Sequence, residues 1–275
     1  MKEKVLITGA CGTIGYQLLK YHINNKDHVV GIDINENEIA ILEKEFNSND
    51  IAFFPLDVYN DYSLDIIEHI KPTVIIHAAV LKNTRFNELF SKYYHDVNVN
   101  STIKFTNRML DSKYLKRFIF LSSDEAYNPC NYFGKDKLEV ENILKEIKNK
   151  GKIIQSVRFP FVLESKGSVY NIFKKQAENN LPLTLTDKKI KKIATNVSTF
   201  IEIWNDFYNH VFQNGVFDFD IGEEISIYKL AKDIIKEIHS NSKIEIIGLR
   251  EGEILNRNIV KIKENKVRNK IFKIN

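Results

Sequence analysis

The stretch KVLITGACGTIG, residues 4–15, restricts the fold more than any other part of the chain. Lys4–Thr8 is a short apolar run that reads as a buried strand. Gly9, Gly12 and Gly15 follow it at three-residue spacing, and a helix is expected from Thr13 to about Asn24. Glycines between a strand and a helix let the backbone turn tightly and approach a pyrophosphate resting on the helix N-terminus. A glycine triplet alone is a weak signal; its place after a strand and before a helix strengthens it. Thr13 and Ile14 lie inside the turn and join the three glycines as candidate cofactor contacts.

The rest of the chain repeats this alternation. Strands are expected at 28–34, 51–58, 73–79, 117–123 and 153–162. Helices are expected at 36–46, 63–70, 96–111 and 135–150. Strands alternating with helices imply an α/β fold with a doubly wound parallel sheet, Rossmann-like, with right-handed crossovers. The alternation loosens after residue 163. Helices at 169–180, 197–212 and 227–239 mix there with extended segments at 181–186, 216–222 and 243–249. The expected organisation is a dinucleotide-binding domain over 1–162 and a smaller C-terminal substrate-binding lobe over 163–275. Part of 197–221 is expected to return to the main sheet.

Composition narrows the class. Of the 275 residues 43% are hydrophobic and 28% charged, ordinary values for a soluble globular protein. The net charge of +4 is spread along the chain, and basic runs such as DKKIKKI (187–193) are short. They read as solvated faces rather than a nucleic-acid surface. No apolar run approaches the roughly 18 residues that cross a bilayer. The N-terminus leads directly into a strand, so it does not read as a secretory signal. Cys11 and Cys130 have no zinc spacing and are expected to be reduced thiols in a cytoplasmic protein.

Further candidates line the ends of the expected strands. Asp33 closes the second strand about 20 residues beyond the glycines, where a carboxylate accepts from ribose hydroxyls. That favours NAD over NADP, because a carboxylate repels a 2′-phosphate. Asp57 and Val58 end the third strand, where they could meet the adenine. Ala78 and Ala79 follow the fourth strand and are small, as a dinucleotide crossing the sheet edge requires.

The glycine spacing, HAA (77–79) and Phe133-x-x-x-Lys137 resemble the extended branch of the short-chain dehydrogenase/reductase superfamily. Longer blocks are similar to the capsule and flagellar polysaccharide enzymes that dehydrate nucleotide sugars at carbons 4 and 6. These are HAAVLKNTR, DVNVNST, SSDEAYNPCNYFGKDK, VRFPFVLESKGSVYNIFKKQ, DIGEEISIYKLAKDI and GLREGEIL, in that family's order. By this resemblance Lys82, Asn98, Lys137 and Phe159 join the cofactor contacts.

The resemblance also implies a reaction. In those enzymes a hydride passes from sugar C4 to NAD, a base removes the C5 proton, and an acid protonates the departing 6-hydroxyl. The hydride then returns to C6. Two adjacent proton-transfer groups at the end of the fifth strand suit this need, and Asp124 and Glu125 stand there. Ser123 would donate to the 4-oxygen, and Lys137 would hold the nicotinamide ribose.

Four positions depart from the family pattern. Glu125 stands where the capsule and flagellar enzymes have lysine, although dTDP-glucose 4,6-dehydratases keep an Asp-Glu pair. Phe133 replaces the usual tyrosine base. Pro160 and Phe161 replace Gly-Asn, and KKIA (191–194) lacks the usual arginine.

On the substrate side the candidates are Lys82, Arg158, Ser168, Val169, Arg250 and Glu253. Arg250 suits a diphosphate through bidentate bonds. SKGSVYNIF (165–173) offers backbone N–H groups at a helix start. His77 reads as a packed sheet-end residue; the seven histidines show no metal spacing. The leading expectation is an NAD-dependent 4,6-dehydratase acting on a UDP-linked N-acetylhexosamine in surface polysaccharide or glycan synthesis. The alternatives are an epimerase or 4-keto-reductase on the same scaffold, or a partner subunit that binds cofactor without catalysis. The resemblance further implies a homo-oligomer.

Overall fold

The structure is a computed structural model, and it describes residues 2–249, 255 and 265–274. Six parallel strands form the centre: β1 (Lys4–Thr8), β2 (His28–Asp33), β3 (Ile51–Pro55), β4 (Val74–His77), β5 (Arg117–Leu121) and β6 (Ile153–Arg158). Their spatial order is β3-β2-β1-β4-β5-β6. The chain winds outward from β1 to β3, then returns to β4 on the other side of β1. β1 and β4 therefore flank the crevice where the strand order reverses, the place where open α/β sheets bind ligands. β1, β4 and β5 are almost wholly buried, which matches their continuous apolar runs.

Helices cover both faces. α1 (Thr13–Asn24) buries Gly15, Leu18, Leu19 and His22, a stripe at helical spacing. α2 (Glu36–Glu45) and α3 (Asp61–Ile70) begin at asparagines, Asn35 and Asn60, whose side chains accept from the first-turn amides. The expected helix over 96–111 is more divided. α4 (Thr84–Leu89) and α5 (Ser91–His95) lead into a π-helical segment, Asp96–Ser101, and then α6 (Thr102–Leu110). α7 (Tyr132–Glu146) follows β5.

The expected strand over 153–162 is two strands. β6 ends at Arg158, and β7 (Phe161–Val162) belongs to a different sheet. Pro160 lies at the break; it has no N–H to continue the ladder. Beyond it come α8 (Val169–Glu178), β8 (Leu183–Leu185), β9 (Lys191–Thr195), α9 (Val197–His210) and β10 (Gly215–Phe219). β11 (Glu223–Ser226), α10 (Ile227–Glu237), β12 (Ile244–Ile246), β13 (Asn265–Arg268) and β14 (Ile271–Ile274) complete the described elements.

Two small sheets, β11-β9-β7 and β12-β8, flank the main one. A separate core of Phe173, Leu183, Leu185, Ile227 and Ile234 joins α8 and α10 to β8. β10 runs parallel beside β6, and α9 packs its Phe200, Trp204 and Phe207 with residues of α1. The hairpin β13-β14 was not anticipated from the sequence. It pairs antiparallel with β10 and covers what would be a free sheet edge.

Candidate active site

Gly9 has φ +67°, a left-handed conformation that glycine adopts without strain. A Cβ there would lie 2.8 Å from the Ala78 carbonyl carbon and the Ala79 nitrogen. The absence of a side chain lets the β1 turn lie against the end of β4. Gly12 donates its N–H to the Gly9 carbonyl at 3.0 Å and begins α1 without a side-chain cap. The first turn of α1 is thus a cradle of backbone N–H groups suited to a phosphate.

Asp33 lies beside this cradle. Its Oδ2 accepts from the Cys11 N–H at 3.0 Å and its Oδ1 from the Asn35 N–H at 3.1 Å. Two backbone donors fix the carboxylate, and each oxygen keeps a lone pair for a ribose hydroxyl. Burial, followed by the Asp33 charge, pushes the Cys11 thiol up to about 12, so it stays protonated. Asp57 accepts from the Tyr59 N–H at 3.0 Å. Val58 is placed differently from the sequence expectation: its side chain is in the core with Leu64 and Ile67.

The segment between β7 and α8 crosses the start of α1. The Lys166 N–H donates to Thr13 Oγ1 at 2.7 Å, and Lys166 Nζ pairs with Glu38 at 2.6 Å. Lys82 donates from Nζ to the Lys166 carbonyl at 2.9 Å. Burial, then the Lys166 charge, holds the Lys82 ammonium below the usual lysine range. Ile14 packs against the core beneath.

Asn98 lies in the π-helical segment, a geometry that often marks functional positions. Its Oδ1 accepts from the Leu81 N–H at 2.8 Å and its Nδ2 donates to the Leu81 carbonyl at 2.9 Å. Asn98 therefore tethers the loop carrying Ala78, Ala79 and Lys82. His77 is enclosed by Phe105, Phe118 and Phe120, with Nδ1 2.9 Å from Thr8 Oγ1. Burial, then the charge of Lys137, lowers it to about 3, so it is neutral.

The proton-transfer candidates sit in a 3-10 turn, Asp124–Ala126, just past β5. Ser123 Oγ accepts from the Glu125 N–H at 3.1 Å and donates to Asp124 Oδ1 at 3.2 Å. The Asp124 N–H donates to the Phe159 carbonyl at 3.1 Å, and the Phe159 ring packs 4.9 Å from Phe200. Asp124 is buried and Glu125 half-buried. Lys137 is buried, donates to the Leu121 carbonyl at 2.7 Å, and lies over the rings of Phe120 and Phe133. Burial lowers it to about 7 against the weaker pull of Glu141 and Asp136. Its two remaining donor positions are what a ribose contact would use.

Arg158 departs from its expected substrate role. Its guanidinium is buried against Glu141 on α7, with the Tyr127 ring 4.3 Å away. Ser168 caps α8: its Oγ accepts from the Asn171 N–H at 3.3 Å and donates to the Leu163 carbonyl at 2.7 Å. Val169 packs on the lobe core. Arg250 and Glu253 lie outside the described residues.

Three functional neighbours were not singled out from the sequence: Glu141, Lys166 and Asn131. The first had a readable signal. Phe133, Lys137, Val140, Glu141 and Leu144 form one buried stripe on α7, so two charged groups interrupt an apolar face. Among the described residues, no helix is long and apolar enough to cross a membrane. No cluster of His, Cys, Asp or Glu among them could hold a metal ion.

Residues 5–275 match the polysaccharide biosynthesis protein family. The chain belongs to this family. It is 28% identical to the capsular polysaccharide biosynthesis protein CapD of Staphylococcus aureus over 284 residues. That match covers 93% of this chain and 45% of CapD, so the chain spans about half the length of that relative. Among solved structures, Pen from Bacillus thuringiensis superposes with a TM-score of 0.85 at 25% identity, covering 92% of this chain and 81% of Pen. The NAD complex of UDP-glucose 4-epimerase from Thermus thermophilus superposes with a TM-score of 0.79 at 15% identity, covering 92% and 88%. The family member described here thus has the extended short-chain dehydrogenase/reductase fold.

Proposed function

We propose that this chain is a nucleotide-sugar-modifying enzyme of polysaccharide biosynthesis, working with NAD and removing water from a UDP-linked N-acetylhexosamine. The observation that carries this reading is the Asp124–Glu125 turn. It brings two acidic residues in succession to the carboxyl edge of the sheet, the edge that also carries the glycine cradle. The cradle, the uncapped start of α1 and the oriented Asp33 suit a dinucleotide with an unmodified ribose. The NAD named in the Thermus thermophilus structure supports that choice. When bound, the nicotinamide supplies a hydride acceptor and donor.

The chain's own residues divide the remaining tasks. Lys137 holds the nicotinamide ribose. With sugar bound, Ser123 turns its one hydroxyl proton from Asp124 to the sugar 4-oxygen, while its Oγ still accepts from the Glu125 N–H. Glu125, the more open of the two carboxylates, takes the C5 proton and returns it when the hydride reaches C6. Asp124 protonates the departing 6-hydroxyl, and the 4-hydroxyl proton released as the hydride leaves C4 passes to water. Adding UDP-N-acetylglucosamine, UDP-glucose and dTDP-glucose separately and weighing the products tests the reading. A product lighter by one water is expected with the UDP-N-acetyl sugar. No loss of water from any of the three would sink it.

Epimerisation at C4 is a second reading. It is supported by the fold match to an epimerase. An epimerase needs no C5 base, so Glu125→Gln would leave its rate within about threefold. Loss of the C5 base would instead slow a dehydratase by a factor on the order of a hundred or more.

A further inference from the structure

Asn131 makes two contacts with one amide. Its Oδ1 accepts from the Gly134 N–H at 2.8 Å, which caps α7. Its Nδ2 donates to Glu125 Oε2 at 2.9 Å. The side chain is 3% exposed, so water does not compete for either bond. The amide is planar; once the oxygen is fixed on the helix, the direction of the N–H is fixed as well.

The surroundings hold this arrangement from both sides. A Cβ on Gly134 would lie 2.4 Å from the Glu125 carbonyl oxygen, so the first turn of α7 presses directly on the Glu125 backbone. Glu88 Oε1, on α4, accepts from the Tyr132 N–H at 2.8 Å and anchors the same turn. Lys137 follows on the same helix, with its Nζ on the Leu121 carbonyl. The start of α7 therefore carries two parts of the candidate site.

We propose that Asn131 is a positioning residue: it aims the Glu125 carboxylate at the substrate with the amide that starts α7. This rests on the reading of Glu125 as a proton-transfer group. A plain helix cap would need only the oxygen, and serine or aspartate would serve as well. The N–H donor is what those residues lack.

That difference makes the test. Asn131→Ser and Asn131→Asp keep a capping oxygen and lose the donor; Asn131→Ala loses both. Thermal unfolding, kcat and KM are measured on each with the accepted nucleotide sugar, and solvent deuterium is followed into C5 of the product. Asn131→Ser and Asn131→Asp are expected to unfold within a few degrees of the parent, since an N-cap exchange among these residues costs little. Their kcat and C5 deuteration should fall by about tenfold or more with KM within about twofold, as expected for a misaimed proton-transfer group. The aspartate variant should be the slower, because it places a second carboxylate against Glu125. Parent-like kcat in Asn131→Ser, while Glu125→Gln is inactive, overturns the positioning role alone. Parent-like kcat in Glu125→Gln overturns the reading of Glu125 itself, and the positioning role with it.

Discussion

Arg158 Nε lies 2.8 and 3.0 Å from the two carboxylate oxygens of Glu141, and Arg158 Nη2 makes a further contact with Glu141 Oε2. The two side chains are only 6% and 1% exposed. Ser122 Oγ donates to the same carboxylate, and the Tyr127 ring lies against the guanidinium. The pair ties α7 to the end of β6 beside the Asp124–Glu125 turn. Its placement turns Arg158 Nε and Nη2 onto Glu141.

Breaking this pair leaves one charge buried without its partner. Such losses cost about 3–5 kcal/mol, whereas replacing both partners with apolar groups of similar volume is often neutral. Glu141→Gln and Arg158→Met are each expected to lower stability by that order, measured by urea unfolding. The double variant Arg158→Met with Glu141→Leu should recover most of the loss. Single variants costing under about 1 kcal/mol would mean that the pair is solvated.

Lys137 predicts a pH dependence of stability. Burial lowers its folded value from 10.5 to about 7. Below pH 7 both folded and unfolded states hold the proton, and the folded state bears the full cost of a buried ammonium. Between about pH 7 and the ordinary lysine value, only the unfolded state holds it. Stability then rises with pH by up to about 1.4 kcal/mol per unit. Lys137→Met is therefore expected to raise the unfolding temperature most below pH 7. The gain should fade as pH approaches 10. A gain independent of pH would show that the folded lysine titrates normally.

Asn87, on α4, is fully buried, and neither its amide nitrogen nor its oxygen finds a hydrogen-bond partner among the described residues. An unmet buried amide costs about 1–3 kcal/mol. Asn87→Leu keeps the same branching and number of side-chain heavy atoms, and is expected to raise stability by about 1 kcal/mol or more in the protein without substrate. Should the amide serve the sugar instead, KM for the nucleotide sugar would climb in the same variant. Thermal unfolding and KM, measured together, separate the two.

The central sheet was legible because its signals are local. Buried parallel strands read as apolar runs, and the glycine turn after β1 fixes which edge of the sheet carries the helix-start cradle. What escaped reading depends on distant partners. Pro160 stops β6 and sends Phe161 into another sheet, yet VRFPFV reads as one strand until the break is seen. The β13-β14 hairpin is short and polar on one face, and only the free edge of β10 gives it a place. At the site, residue types were legible and pairings were not. Nothing in the spacing says that Arg158 turns to Glu141, or that Asn98 turns to Leu81. The Asn131 cap could be read from its place just ahead of α7, but its second contact, to Glu125, needed the fold.

Phe133 supplies the last prediction. Its ring centre lies 5.6 Å from Lys137 Nζ, and the side chain is 8% exposed. Phe133→Tyr keeps the ring and adds one hydroxyl. On the proposed chemistry, oxidation at C4 needs an acceptor for the 4-hydroxyl proton, and a phenol that a neighbouring ammonium helps to ionise supplies one as phenolate. The first turnover, followed by the absorbance of reduced nicotinamide, is expected to accelerate by about tenfold or more, within the range of general-base assistance. Where the new hydroxyl finds no partner in the free enzyme, stability should drop by about 1–3 kcal/mol. An unchanged first turnover in a folded Phe133→Tyr variant would mean that another group already takes the C4 proton. Asp124 is then the first to replace, because Ser123 Oγ holds its carboxylate at 3.2 Å beside the position assigned to the sugar 4-oxygen.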